Sequence, residues 1–269
     1  LPFAKGRLYL YHMALSYVLS ELEEGVLTLT INRPDKLNAL NREVILGLSS
    51  ALDEAAQDSE IRVIILTGSG EKAFVAGADI AEFAEFSKEE GARLAAEGQR
   101  LLFDKVAYFP KPVIAAVNGF ALGGGLELAM SAHIRLSSSH AKMGLPEVSL
   151  GVIPGYGGTQ RLPQLVGAGR AFEMIFSAKM IDAPQALSFG LVNAVYEGPE
   201  LLAAAKDLAR SFLRNSTQAH GAAIQAIQAG LRGQDGYAAE IKSFGDCFQS
   251  KDFVEGTTAF LSKRKPHFS

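Results

Sequence analysis

The stretch from Val113 to Ala132 constrains this chain more than any other. Its first five residues, Val113 to Val117, are apolar and read as a buried strand, while the run after Gly125 reads as an apolar helix. Gly123, Gly124 and Gly125 therefore stand at a strand-to-helix junction that no side chain blocks.

A helix N-terminus leaves N–H groups unpaired and carries a partial positive charge, and glycine lets a ligand approach the backbone closely. With a helix beginning near Gly124, Glu127 projects from its first turn on the same face, so a carboxylate sits beside an N–H that favours anions. In isolation the plainer reading is the stronger one: a favourable first-turn acid, with glycines that only permit tight packing. Gly-Gly-Gly-x-Glu is weakly specific, and other stretches have to decide.

At 269 residues the chain fits one compact domain that buries roughly 75% of its unfolded surface. A composition 48% hydrophobic and 20% charged is that of a soluble globular protein, and a net charge of −3 gives no global attraction to nucleic acid or to an anionic membrane. Cys247 is the only cysteine, which excludes an intrachain disulfide and a thiolate cluster and points to a reducing compartment. The histidines at 12, 133, 140, 220 and 267 show no ligand spacing, so no metal is expected. No apolar run approaches the ~20 residues that span a membrane. Residues 1–12 contain Lys5 and Arg7 and no acid; His12-Met13 reads as a cloning junction ahead of a native start at Met13, and residues 1–12 as an extension outside the fold.

Val26 to Ile31 has the β-branched alternation of a strand, and turn residues follow from Asn32 to Lys36. From Asn41, the spacing of Val44, Ile45, Leu48, Leu52 and Ala55 predicts an amphipathic helix that runs to Gln57. Val63 to Thr67 is a short buried strand, and the alternation argues for a layered α/β domain. Phe74 to Ile80 follows a Gly-Ser-Gly turn. Asp79 with Glu82 three residues on has the form of a capping box, so a helix is expected there with the Ala78 N–H at its mouth, a second anion-facing donor. Another amphipathic helix starts at Ser87, with Glu90 as box partner, and stops before Pro110; its charges are mixed in sign, as on a solvated face.

Ile134–Leu136 and Ala141–Leu145 read as short strands, after which Pro146 delivers Glu147 into a loop. The glycine-rich segment 152–161 fits neither a dinucleotide fingerprint nor a P-loop, and no G-x-S-x-G elbow occurs. Asp182 and Pro184 start a helix that Gly190 ends. From about Glu200 the pattern is helical, with breaks at Asn215, 233–236 and 250–252. This gives a core over 13–198 and a helical region over 199–269, whose Phe244, Phe248, Phe253 and Phe260 need cover from a lid or subunit contact.

Two carboxylates, Glu127 and Glu147, near glycine-rich turns that offer N–H donors suit proton transfer beside a carbonyl. The residues alone reach only that reaction class. Three ordered motifs then carry a resemblance: Lys72 to Ile80, Asn118 to Leu128, and Pro146 to Val148 with Gly151 to Arg161. Over about residues 16–269 the chain resembles enoyl-CoA hydratases of the crotonase superfamily. The resemblance implies a spiral of repeated ββα units with C-terminal helices, assembled as a dimer of trimers, and an acyl-CoA thioester as substrate. It places the Ala78 and Gly124 N–H groups in an oxyanion hole and makes Glu127 and Glu147 the catalytic pair that adds water to a trans-2-enoyl-CoA, giving 3-hydroxyacyl-CoA. No cofactor is implied beyond the CoA carried by the substrate.

Relatives that isomerise keep the acid at Glu147 alone, so Δ3,Δ2-enoyl-CoA isomerase ranks second. Some superfamily members bind RNA through a lysine-rich helix, but here the matching helix is mixed in charge; a non-catalytic scaffold member is expected to lack one or both acids. Tyr156 stands where many hydratases carry a small residue and bears on acyl-chain length. By the same resemblance Lys36, Ala76, Asp79, Ile80 and Ala81 lie in the CoA-binding region, and Lys263, with Arg264 and Lys265, reaches toward the phosphates, from the same or a neighbouring subunit; ordinary surface charge is an equal reading of these basic residues. Asp79 reads more readily as a helix cap than as a catalyst. The expected location is the cytoplasm, or the mitochondrial matrix in a eukaryote.

Overall fold

The computed structural model describes residues 17–268, so the extension expected over residues 1–12 lies outside the described residues. The described residues open with β1 (Val18–Glu23) and β2 (Val26–Ile31), an antiparallel hairpin closed by Glu24 and Gly25, both at positive φ. That pair of dihedrals matches the right-handed twist of the flanking strands. Helix α1 (Arg42–Gln57) follows, with the Asn41 side chain accepting from the Val44 N–H as its cap.

Next comes β3 (Val63–Gly68) with β4 (Ala73–Val75), then α2 (Lys88–Gly98), a wider π-helical turn over Gln99–Phe103, and α3 (Asp104–Ala107). Strand β5 (Val113–Val117), β6 (Phe120–Leu122) and α4 (Gly124–Ser131) form the following turn. After β7 (Ile134–Ser138) and β8 (Lys142–Gly144) come α5 (Gly158–Val166) and α6 (Ala168–Ser177). Then β9 (Ile181–Asp182), α7 (Ala183–Ser188) and β10 (Ala194–Tyr196) close the α/β part. Four helices end the chain: α8 (Leu201–Phe212), α9 (Thr217–Leu231), α10 (Gly236–Cys247) and α11 (Lys251–Leu261).

The strands form a six-stranded sheet in the order β1-β2-β3-β5-β7-β10 and a four-stranded sheet in the order β4-β6-β8-β9. Each of the turns β3-β4, β5-β6 and β7-β8 gives one strand to each sheet before its helix, so the expected ββα spiral is present. From β2 to β10 the large sheet is parallel, which explains why β3 and β5 are buried along their whole length: both faces are covered. Ile64, Leu66, Val113, Ala115 and Val117 face the main core, whereas Val63, Ile65, Ile114 and Ala116 face the opposite side.

Helix α8 covers that opposite side with Leu201, Ala205 and Ala209, spaced four apart on one stripe. Although it follows the boundary at 198, α8 is thus part of the core. Beyond it, Ile241, Phe244 and Phe260 are well exposed, as the need for cover predicts.

Candidate active site

Two close approaches set the start of α4. A Cβ on Gly125 would lie 1.9 Å from the Val75 carbonyl oxygen, so only glycine lets the helix abut the end of β4. Gly123 has φ +49°, and a Cβ there would lie 2.7 Å from Glu147 Oε1. The Gly123 N–H is bonded to the Gly144 carbonyl (2.9 Å), leaving the Gly124 N–H as the first unclaimed donor of the helix.

Ala78 supplies a second donor, by a route other than the one expected. It forms a parallel bridge with Leu40 in which the flanking residues make the bonds: Leu40 N–H to the Gly77 carbonyl (2.9 Å) and Asp79 N–H to the Leu40 carbonyl (2.7 Å). The Ala78 N–H therefore points away from Leu40 and has no partner among the described residues. The capping box expected at Asp79 is absent. Asp79 makes no cap bond, because its carboxylate is held by Arg33 Nη2 (3.1 Å), and Glu82 accepts from the Arg42 N–H (3.0 Å) at the start of α1. Only a single 3₁₀ turn, Ile80–Glu82, follows.

Glu127, 1% exposed, is clamped by backbone. Its Oε1 accepts from the Tyr156 N–H (2.8 Å) and the Gly158 N–H (2.7 Å), at the tight turn that begins α5. Burial raises its pKa to about 7; the Glu147 charge adds to the rise, and the two N–H groups and Arg161 oppose it. Glu147 opens a 3₁₀ turn after Pro146, with its Oε2 buried and unbonded, and burial raises its pKa as well. The strands thus bring both carboxylates to the rim of the glycine junction. One is anchored and the other is open to a ligand.

Tyr156 is buried, its ring stacked on Phe103 (centroids 4.5 Å apart, planes at 12°). One ring edge occupies the space a Gly98 side chain would fill, and the other comes 3.4 Å from where a Gly124 Cβ would be. It ends a cleft of about 570 Å³ lined also by Leu40, Ala78, Phe83, Gly98 and Leu101. The turn carrying Lys36 is tied to the segment after β4, where the Ala76 N–H donates to the Leu37 carbonyl (3.1 Å), and Asp79 lines the cleft. Lys263 is exposed beyond α11, and neighbouring Arg264 is held in a bidentate pair by Glu255 (2.6 and 2.7 Å).

Sequence reasoning missed the backbone clamp on Glu127 and the pairing of Gly98 with Tyr156. The only signal for the first is the glycine doublet at 157–158, whose contact with Glu127 spans 31 residues.

This arrangement combines two N–H groups, at Ala78 and Gly124, without a partner among the described residues and two carboxyl groups whose pKa values burial raises; groups of this kind can move protons next to a carbonyl. The Enoyl-CoA hydratase/isomerase family model matches residues 21–269. The chain is 47% identical over 255 residues to a short-chain-enoyl-CoA hydratase of Clostridium acetobutylicum, covering 94% of this chain and 97% of that one. It is 45% identical to a crotonyl-CoA hydratase of Syntrophomonas wolfei, covering 95% and 99%. The crystal structure of an enoyl-CoA hydratase from Bacillus anthracis superposes with a TM-score of 0.88 at 36% identity, covering 94% and 98%. With matching sequence over nearly its whole length, the same fold and a site of fitting chemistry, the chain belongs to the enoyl-CoA hydratase/isomerase family.

Proposed function

We propose that this protein hydrates short trans-2-enoyl-CoA thioesters to 3-hydroxyacyl-CoA. The observation that carries the reading is the pair of carboxylates, buried Glu127 and half-buried Glu147, at the junction where the Gly124 N–H has no partner among the described residues. The thioester oxygen accepts from the Ala78 and Gly124 N–H groups. Ionised Glu127 takes a proton from water as the hydroxyl adds to C3, electron density moves onto the thioester oxygen as an enolate, Glu147, protonated at the start, gives its proton to C2, and proton exchange between the two carboxyl groups through water resets the pair. One well-placed oxyanion donor is worth roughly 3 to 4 kcal/mol, so two lower the enolate barrier substantially.

Tyr156 forms the inner wall of the acyl site, and its position beside Gly124 leaves little length past the reacting carbons. Names of relatives at 47% and 45% identity, short-chain and crotonyl, agree. CoA lies along Lys36 and the 76–81 backbone. The exposed apolar residues of α9 to α11, with a groove of about 830 Å³ lined by Ile227, Tyr237 and Phe244, support assembly of several copies, as a dimer of trimers. Among the described residues no helix is long and apolar enough to cross a membrane, and the cytoplasm is the proposed location.

The test is loss of the enoyl-thioester ultraviolet band from crotonyl-CoA with wild type, Glu127→Gln and Glu147→Gln. Rapid loss with wild type and a fall of several orders of magnitude in both variants supports the reading. If crotonyl-CoA is untouched while a 3-enoyl-CoA gains that band, the protein is an isomerase instead.

A further inference from the structure

Arg161, on the first turns of α5, touches neither carboxylate, yet it holds the loop that does. Its Nη1 donates to the Tyr156 carbonyl (2.8 Å), the far side of the residue whose N–H bonds Glu127. Gly157 makes room: at φ +99°, a Cβ there would lie 2.2 Å from Nη1. The other arm of the guanidinium, Nη2, meets Asp104 Oδ1 (3.1 Å) on α3. The same oxygen accepts from Arg232 Nη2 (2.6 Å) at the end of α9, where the guanidinium stacks on Tyr108 (4.3 Å). Gln164 Nε2 adds a second tie between α5 and α9, to the Leu231 carbonyl (2.7 Å).

We propose that Arg161 is a positioning residue for Glu127, setting the Tyr156–Gly158 amides and supplying a fixed positive charge on the far side of that loop, and that Asp104 ties it to the end of α9. The inference rests on the role of Glu127 given above. The charged and titratable groups facing Arg161 are Asp104 on α3, Tyr108 just beyond it, Arg232 closing α9 and Glu127 on α4. Arginine suits the place because the N–H groups of its planar fork stand in a fixed geometry and reach the Tyr156 carbonyl and the Asp104 carboxylate from two separate nitrogens.

A side chain that only fills space leaves the pH profile alone, so the test is kcat, KM and the acid limb of kcat/KM for crotonyl-CoA hydration in full-length variants whose melting has been checked. Arg161→Gln frees the loop and removes the cation; kcat falls roughly 10²-fold with KM near wild type, the cost of a small misplacement of a reacting group. Its acid limb moves to higher pH, because an ionised Glu127 loses its counter-charge. Arg161→Lys restores the limb and part of kcat. Asp104→Asn leaves Arg161 charged and less neutralised, so its limb stays at or below the wild-type pH. The inference is overturned if the limb of Arg161→Gln does not move, or if the Gln and Asn variants displace it in the same direction. Should Glu127→Gln keep wild-type turnover, the underlying reading of Glu127 fails instead.

Discussion

Replacing Glu127 by glutamine should make the protein more stable while abolishing its activity. The carboxyl titrates at about 7 in the folded chain against an ordinary value of 4.5, because burial penalises its ionised form more than the Tyr156 and Gly158 N–H groups repay. The native state binds this proton more tightly than the unfolded state. Its presence is therefore neutral below pH 4.5, destabilising as pH rises from 4.5 to about 7, and fully so above that. At roughly 1.4 kcal/mol per pH unit between the two values, the cost at pH 8 is about 3 kcal/mol. Glutamine keeps an oxygen that accepts the same two N–H bonds and carries no charge. For a chain of this length, about 3 kcal/mol corresponds to a rise in Tm of about 5 °C. Calorimetry of wild type and Glu127→Gln at pH 8 and pH 5 measures it; the gain should be near full at pH 8 and small at pH 5. A variant less stable than wild type at pH 8, or a gain independent of pH, refutes the reasoning.

For the wild type, kcat/KM should fall as pH drops through about 7, since hydration needs Glu127 ionised, and a rate profile checks it. Gly125→Ala places a methyl group against the Val75 carbonyl, so backbone must shift; activity is lost and Tm falls, by activity assay and calorimetry. Tyr156→Ala opens the inner acyl wall, so kcat/KM should shift from crotonyl-CoA toward longer enoyl-CoA chains, roughly tenfold or more in relative preference per methylene accommodated. Phe244→Glu, on the exposed face of α10, should lower the assembled mass in light scattering without unfolding the protomer.

The layered α/β class, the main helices and both glutamates were legible because local signals agree with tertiary outcome there. Ser87 with Glu90 forms the capping box its spacing predicts, and Asp182 caps the helix it is expected to start. Asp79 with Glu82 has the same spacing and fails, since Arg33 and the Arg42 N–H, distant in sequence, take both carboxylates. Strand β1 was missed because Glu21 and Glu23 interrupt its apolar residues at a half-exposed sheet edge. Strands β9 and β10, at two and three residues, are too short to carry a period. The expected helix mouth at Ala78 is not what fixes the residue: it is held by pairing with Leu40, 38 positions away in sequence.

In the large sheet the spatial order of strands is the order of the chain, so each turn of the spiral is hydrogen-bonded chiefly to the turn before and the turn after. Cohesion in such a stack is nearest-neighbour, and partial opening should proceed by fraying inward from an end. Ala78 follows β4, Glu127 sits in the helix after β6, and Glu147 comes just past β8, one from each of three consecutive turns. Amide protection should therefore be highest in β3 and β5 and decline toward β10, and catalytic competence should vanish once the turn carrying Glu147 undocks, while the inner strands are still closed.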